Sequence, residues 1–202
     1  MTSPVYNQNG FQFYDDDGAP GSSTGQGINT DASYSSDVGF QLRIEIEVTN
    51  SKAVNNASFR LFAQRYNSGD TPQGAAFQIT SASTGGMTYY DSTNLTDTNA
   101  DSSDRLTGAG TSSLTFNTGL VVDATSDWGG IYPTTTGFDF AGTDHNEVHF
   151  GLVIDSGVGS DGDYYIIEIR RTDDTQIDGY TRKPRVDRVD ATVERRIFIT
   201  HA

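Results

Sequence analysis

Residues 42–48 read LRIEIEV, and the strict alternation puts Leu42, Ile44, Ile46 and Val48 on one side of an extended chain and Arg43, Glu45 and Glu47 on the other. A period of two belongs to a strand, because successive side chains of an extended backbone point to opposite faces. The stretch is expected to be a half-buried strand with its charges in solvent. The same signal recurs in FRLFAQRY (59–66), in VHFGLVI (148–154), with Val148, Phe150, Leu152 and Ile154 inward, and in YYIIEIRR (164–171). Shorter candidates are AFQIT (76–80) and MTYYD (87–91). LTFNTGLVV (114–122) reads as a strand broken by a turn or bulge at 117–119, and TVERRIFIT (192–200) closes the chain. No window supports a long helix. Residues 95–106 hold one short turn at most, with Asp101 and Asp104 as caps, because Asp and Ser favour caps and turns over helix interiors.

Two hairpins are expected, one joining 42–48 to 59–66 and one joining 148–154 to 164–171 through the Gly/Ser/Asp-rich stretch 157–162. Short strands at this spacing predict an all-β, antiparallel β-sandwich of jelly-roll or immunoglobulin-like type. Residues 1–184 are read as the sandwich domain and 185–202 as a C-terminal strand or extended arm. Residues 15–37, 91–113 and 123–146 form long polar loops, and loops of that length are uncommon in a compact domain unless they bind something or pack on a partner.

Only 34% of the 202 residues are hydrophobic, but 11 Phe and 10 Tyr bring enough buried area for one core. The net charge of −14 argues against nucleic acid and against an anionic membrane surface as partners. The charge is uneven. Residues 1–169 carry five basic side chains against 21 acidic ones, whereas 170–202 carry eight against six. Arg182, Lys183, Arg185, Arg188, Arg195 and Arg196 make up most of this basic strip. It reads either as local ion pairing on a strand face or as a docking surface for an acidic neighbour, a second copy included. The chain opens without a basic, apolar leader and has no apolar stretch of the ~18 residues that a membrane span needs, so it is expected to fold in the cytoplasm. The absence of cysteine decides little.

Three groups of side chains are candidates for chemistry. Asp15, Asp16 and Asp17 precede Gly18, and oxygen-rich clusters suit calcium. Consecutive residues of an extended chain cannot all face one ion, however, so Asp15 and Asp17 read first as part of a turn. His145, Glu147 and His149 share one strand face and are zinc or iron ligand types. Neighbours along one face lie about 6.6 Å apart by strand rise, too far for all three to reach one ion easily, so they read first as solvent-facing residues. Asp155, Asp161 and Asp163 read as a hairpin tip. Trp128, Tyr132, Tyr89, Tyr90 and Tyr34 lie in or beside loops, where aromatics either stack on sugars or pin loops to the core; the latter is the expectation for most of them. Catalytic motifs are missing: there is no Cys nucleophile, G-x-S-x-G elbow or P-loop. No cofactor is implied, and an enzyme is not expected, a carbohydrate-active one being the third reading.

Four stretches in order, FQFYDDDGAP, QLRIEIEVTN, YYDSTNLTDTNADSSDRL and GDYYIIEIRRTDDTQIDGY followed by Pro184, resemble β-sandwich structural proteins and modules of tailed bacteriophages. The resemblance is one of strands and turns between residues 10 and 190 and brings no catalytic residues with it. It implies a virion component, assembled in the host cytoplasm, of the capsid decoration or cement kind. Its partners would be the major capsid protein or other virion proteins, and it would form a dimer or trimer of its own. The alternative is a tail or head-fibre adhesin that grips host carbohydrate through Trp128 and Tyr132.

Overall fold

The computed structural model describes residues 3–96, 100–122, 131–132 and 138–190. Among these the chain is all-β, and no helix is long and apolar enough to cross a membrane. The strands are β1 (Tyr6–Asp15), β2 (Ala32–Ser35), β3 (Gly39–Val48), β4 (Val54–Ala57), β5 (Phe59–Tyr66), β6 (Phe77–Gln78), β7 (Met87–Tyr89) and β8 (Ala100–Asp101). They continue with β9 (Thr115–Val122), β10 (Ile131–Tyr132), β11 (Phe138–Phe140), β12 (Asp144–Ile154), β13 (Tyr164–Arg171), β14 (Gly179–Tyr180) and β15 (Arg185–Val189).

One sheet runs β14-β1-β3-β12-β9-β8, with β7 continuing the edge of β12 beyond β9. A second runs β10-β5-β13-β15-β2, with β6 also on β5, and β11 and β4 form a separate ribbon. The sheets are mixed rather than purely antiparallel. The pairs β1–β14, β12–β9 and β15–β2 run parallel, each reached over a long connection that no hairpin turn could replace.

Neither expected hairpin forms. β3 lies between β1 and β12, whereas β5 pairs with β13 in the other sheet. β12 and β13 likewise belong to different sheets. The reason is in the apolar faces. A hairpin would leave both stripes side by side in one sheet, whereas crossing between sheets lets them meet within a single core. That core joins Phe11, Leu42, Ile44, Val148 and Phe150 of the first sheet to Leu61, Ile167, Ile169 and Val186 of the second. Aromatic contacts run between the sheets as well: Tyr6 meets the edge of Phe59 at 5.2 Å, and Tyr34 stacks on Phe40 at 4.4 Å.

β9 is one strand with a bulge. Its register against β12 slips between His145 and Asn146, so that Phe116 and Thr118 face consecutive residues and Asn117 is the extra one. The segment beginning at 185 is not separate from the body at its start. β15 is hydrogen-bonded between β13 and β2, and Val186 is in the core, so the divide placed at 184/185 falls inside the second sheet. The remainder, 191–202, with Arg195 and Arg196, lies outside the described residues.

Candidate functional site

The second face of β3 and β12 differs most from expectation. Arg43, Glu45 and Glu47 of β3, and His145, Glu147 and His149 of β12, are all buried. Alternation identified their common face correctly, but that face is covered rather than solvated. Residues 101–114 lie over it, held by the very side chains expected in water. Glu147 Oε1 accepts the Leu106 amide at 2.9 Å, and Glu45 Oε1 accepts that of Ser112. The Ser112 hydroxyl donates to Glu47, and Arg43 reaches the Ser103 carbonyl at 3.2 Å. Orphan backbone groups of an irregular segment need partners, and the sheet's charges supply them.

The antiparallel register sets which groups meet. Glu147 stands opposite Glu45, His145 opposite Glu47 and His149 opposite Arg43. Arg43 is the central cation. Its guanidinium pairs with Glu147 and with Asp101 at 2.8 Å, and Asp101 also pairs with Arg105 at 3.1 Å. Asp101 is therefore not a helix cap. It sits on β8 with its second oxygen on the Ser103 amide, and hydrogen bonds from Arg105 and Arg43 outweigh partial burial to hold its carboxyl below the usual range. Gly119 of β9 leaves room for this group, since a Cβ there would lie 3.1 Å from both Arg43 Nη2 and Asp101.

The two histidines have different surroundings. Arg43 Nη1 lies 3.4 Å from His149 Nδ1, and a guanidinium can only donate, so this nitrogen is an acceptor. Burial first, and Arg43 second, hold the His149 pKa down to about 3, so the ring is neutral at physiological pH. His145 Nδ1 faces the Leu114 carbonyl at 3.1 Å. A carbonyl only accepts, so Nδ1 carries a proton, which leaves Nε2 as the ring nitrogen that can meet another partner. That Nε2 points at Glu45 Oε2 at 3.5 Å and at Asp104 Oδ1 at 3.7 Å. Neither His145 Nε2 nor Glu45 Oε2 has a hydrogen-bond partner among the described residues. Burial pushes the Glu45 carboxyl up to about 8, despite the Ser112 amide, and Glu147 and Glu47 add to the rise. Burial also raises Glu147, against the pull of Arg43.

One potential ligand atom from each of Glu45, His145 and Glu147 lies within 4.8 Å of the others. Two members of the expected trio, His145 and Glu147, are thus brought together, and Glu45 takes the place of His149. The cause is geometric: side chains opposite each other on paired strands are ~4.5–5.5 Å apart at Cβ, closer than neighbours along one strand. Glu45 was legible as a strand residue, but nothing in one strand's sequence shows which residue of another will stand opposite it.

The other candidates have structural tasks. Asp17 accepts both the amide and the hydroxyl of Thr24, at 2.9 and 2.6 Å, and Asp16 Oδ1 accepts from Gln41 Nε2 and Ser92 Oγ. Asp15 and Asp17 belong to no ligand cluster among the described residues. Asp155 and Asp163 accept amides within their own turn. Tyr34 and Tyr89 are buried. Trp128 lies outside the described residues, and of Tyr132 only the backbone, in β10, is described.

The described basic residues of the C-terminal strip are paired within the chain. Arg182 meets Asp31 at 2.6 Å, Lys183 meets Glu168, and Arg185 meets Asp187 at 2.8 Å while lying over the Tyr164 ring. Arg188 is buried and donates to Asp190, to the Val158 carbonyl at 2.7 Å and to the Ser156 carbonyl at 3.2 Å. No family model matches the chain, and no curated protein and no solved structure matches it significantly.

Proposed function

We propose that this chain is a structural component of a bacteriophage virion, a decoration or cement protein that stabilises the capsid shell through loop and arm contacts. The observation that supports it best is how the polar groups of the sheets are used. Glu45, Glu47 and Glu147 fasten 101–114 to the body, and Asp16, just past the end of β1, ties its loop to Gln41 of β3 and to Ser92. Loops held in this way present a fixed surface whose many modest contacts with a neighbour cost little ordering entropy on binding. We read the architecture more finely as a sandwich related to jelly-roll or immunoglobulin-like modules, with parallel strand pairs added at three places. The order of the four sequence stretches that resemble phage structural modules supports the same reading.

Quantitative mass spectrometry of purified particles tests it, taking the molar ratio of this protein to the major capsid protein. A ratio near one, or a simple fraction of one, is the expected result. Absence from particles removes the proposal, and a few copies per particle transfers the protein to the tail or a vertex, where the carbohydrate-binding alternative through Trp128 and Tyr132 takes over.

A further inference from the structure

We propose that Glu45, His145 and Glu147, joined by Asp104 from the covering segment, bind one divalent first-row transition-metal ion that clamps residues 101–114 onto the sheet.

Four observations carry this, all independent of the virion reading. The first is the pair of unpartnered atoms. Glu45 Oε2 and His145 Nε2 belong to side chains that are 0% and 1% exposed, and they face each other at 3.5 Å without a hydrogen bond. Buried polar atoms are satisfied in the great majority of cases, so two orphans aimed into one space call for a common partner. The second is spacing. Metal–ligand bonds of about 2.0–2.1 Å in tetrahedral array place ligand atoms roughly 3.3–3.4 Å apart. The separations of 3.5 Å from Glu45 and 3.7 Å from Asp104 to His145 Nε2 lie close to that value.

The third is the supporting shell. A metal-ligating imidazole donates its other N–H to a carbonyl or carboxylate, and ligating carboxylates are hydrogen-bonded in turn. His145 Nδ1 has the Leu114 carbonyl, Glu45 has the Ser112 amide and Glu147 has the Leu106 amide. The fourth is charge. Five carboxylates, Glu45, Glu47, Asp101, Asp104 and Glu147, share this face with two guanidiniums, Arg43 and Arg105, which are already committed to Asp101 and Glu147. With every carboxylate ionised the excess is three negative charges, of which a dication beside Glu45 neutralises two. One imidazole among carboxylates favours zinc and its neighbours over calcium, which takes oxygen donors. Asp104, 34% exposed, gives the ion its way in from solvent.

The full chain, freed of metal with a chelator, is titrated with Zn²⁺ alone by calorimetry, and bound zinc is counted by elemental analysis. The expected result is one ion per chain, a zinc-dependent rise in Tm, and affinity lowered by at least ~100-fold in Glu45→Gln and in His145→Gln. Asp104→Asn tests the same point at the partly exposed member of the group and should weaken binding by roughly 10-fold or more. Glu47→Gln should leave the stoichiometry at one. Circular dichroism of each variant without metal shows whether it folds. No zinc bound by the folded wild-type chain at 100 µM overturns the proposal, as does zinc binding that survives both Glu45→Gln and Asp104→Asn, or calcium bound in preference to zinc.

Discussion

Glu45 and Glu147 face each other across the β3–β12 pair, and neither has any exposed surface. Like charges directly opposite on a sheet are destabilising, and burial makes each dearer to ionise. Arg43 answers this for Glu147 but makes no hydrogen bond to Glu45, so the two carboxylates of one cross-strand pair live in different electrostatic surroundings.

Replacing Arg43 by Met should cost about 3–5 kcal/mol, because it leaves Glu147 buried and uncompensated. Urea unfolding of R43M against the wild type measures it. Adding Glu147→Gln to R43M should recover part of the loss, since the orphaned charge goes with it. A single-variant cost below ~1 kcal/mol would mean that the ion pair contributes no more than an exposed one.

Gly151 sits in the middle of β12, where residues near Tyr90 cross the sheet. A Cβ at 151 would lie 2.6 Å from the Tyr90 carbonyl oxygen, and the Tyr90 amide already donates to the Gly151 carbonyl at 2.9 Å. Gly151→Ala must therefore push backbone away from backbone. A loss of about 1–3 kcal/mol is expected, seen as a fall in Tm of several degrees; an unchanged Tm would show that this crossing yields freely.

Glu168 gives the fold an acid limit. Burial works to raise its pKa, but hydrogen bonds from Lys183 and Arg170 outweigh it, and the folded value lies below the ordinary glutamate value. A depressed carboxylate contributes stability that is present above its unfolded pKa and is lost as pH falls through the folded one. The urea midpoint should thus drop on going from pH 7 to pH 3, and Lys183→Met should shrink the part of the drop owed to Glu168. An identical acid slope in wild type and K183M would assign the effect elsewhere.

Within the basic strip Arg188 has a structural task. Arg188→Ala removes donors from Asp190 and from two carbonyls of the 156–158 turn, so it should cost about 1–3 kcal/mol in the isolated protein. If the C-terminal segment docks on the capsid, Arg195→Glu with Arg196→Glu should lower particle occupancy. Full occupancy in that double variant would remove those two arginines from the docking surface.

Much of the local structure was legible without coordinates. The alternation in 42–48 and 148–154 determines that these are strands and that Leu42, Ile44, Ile46, Val148, Phe150 and Leu152 share the core. The bulge around Asn117 was visible in the break of pattern at 117–119, and the Asp-Gly run read as a turn does follow a strand, although Asp15 is still the last residue of β1. Pairing was not legible. β3 passed over the nearby β5 for β1 and β12, because hydrophobic periodicity says which side of a strand turns inward and is silent about which strand lies next to it. The site depended on that choice. His145 and Glu147 could be picked out along one strand, but only the register of β3 against β12 places Glu45 beside them, and only the covering segment 101–114 takes their face out of water. A period of two determines two faces; whether the polar one meets solvent or another part of the chain is decided by contacts far apart in sequence, which tertiary structure alone brings together.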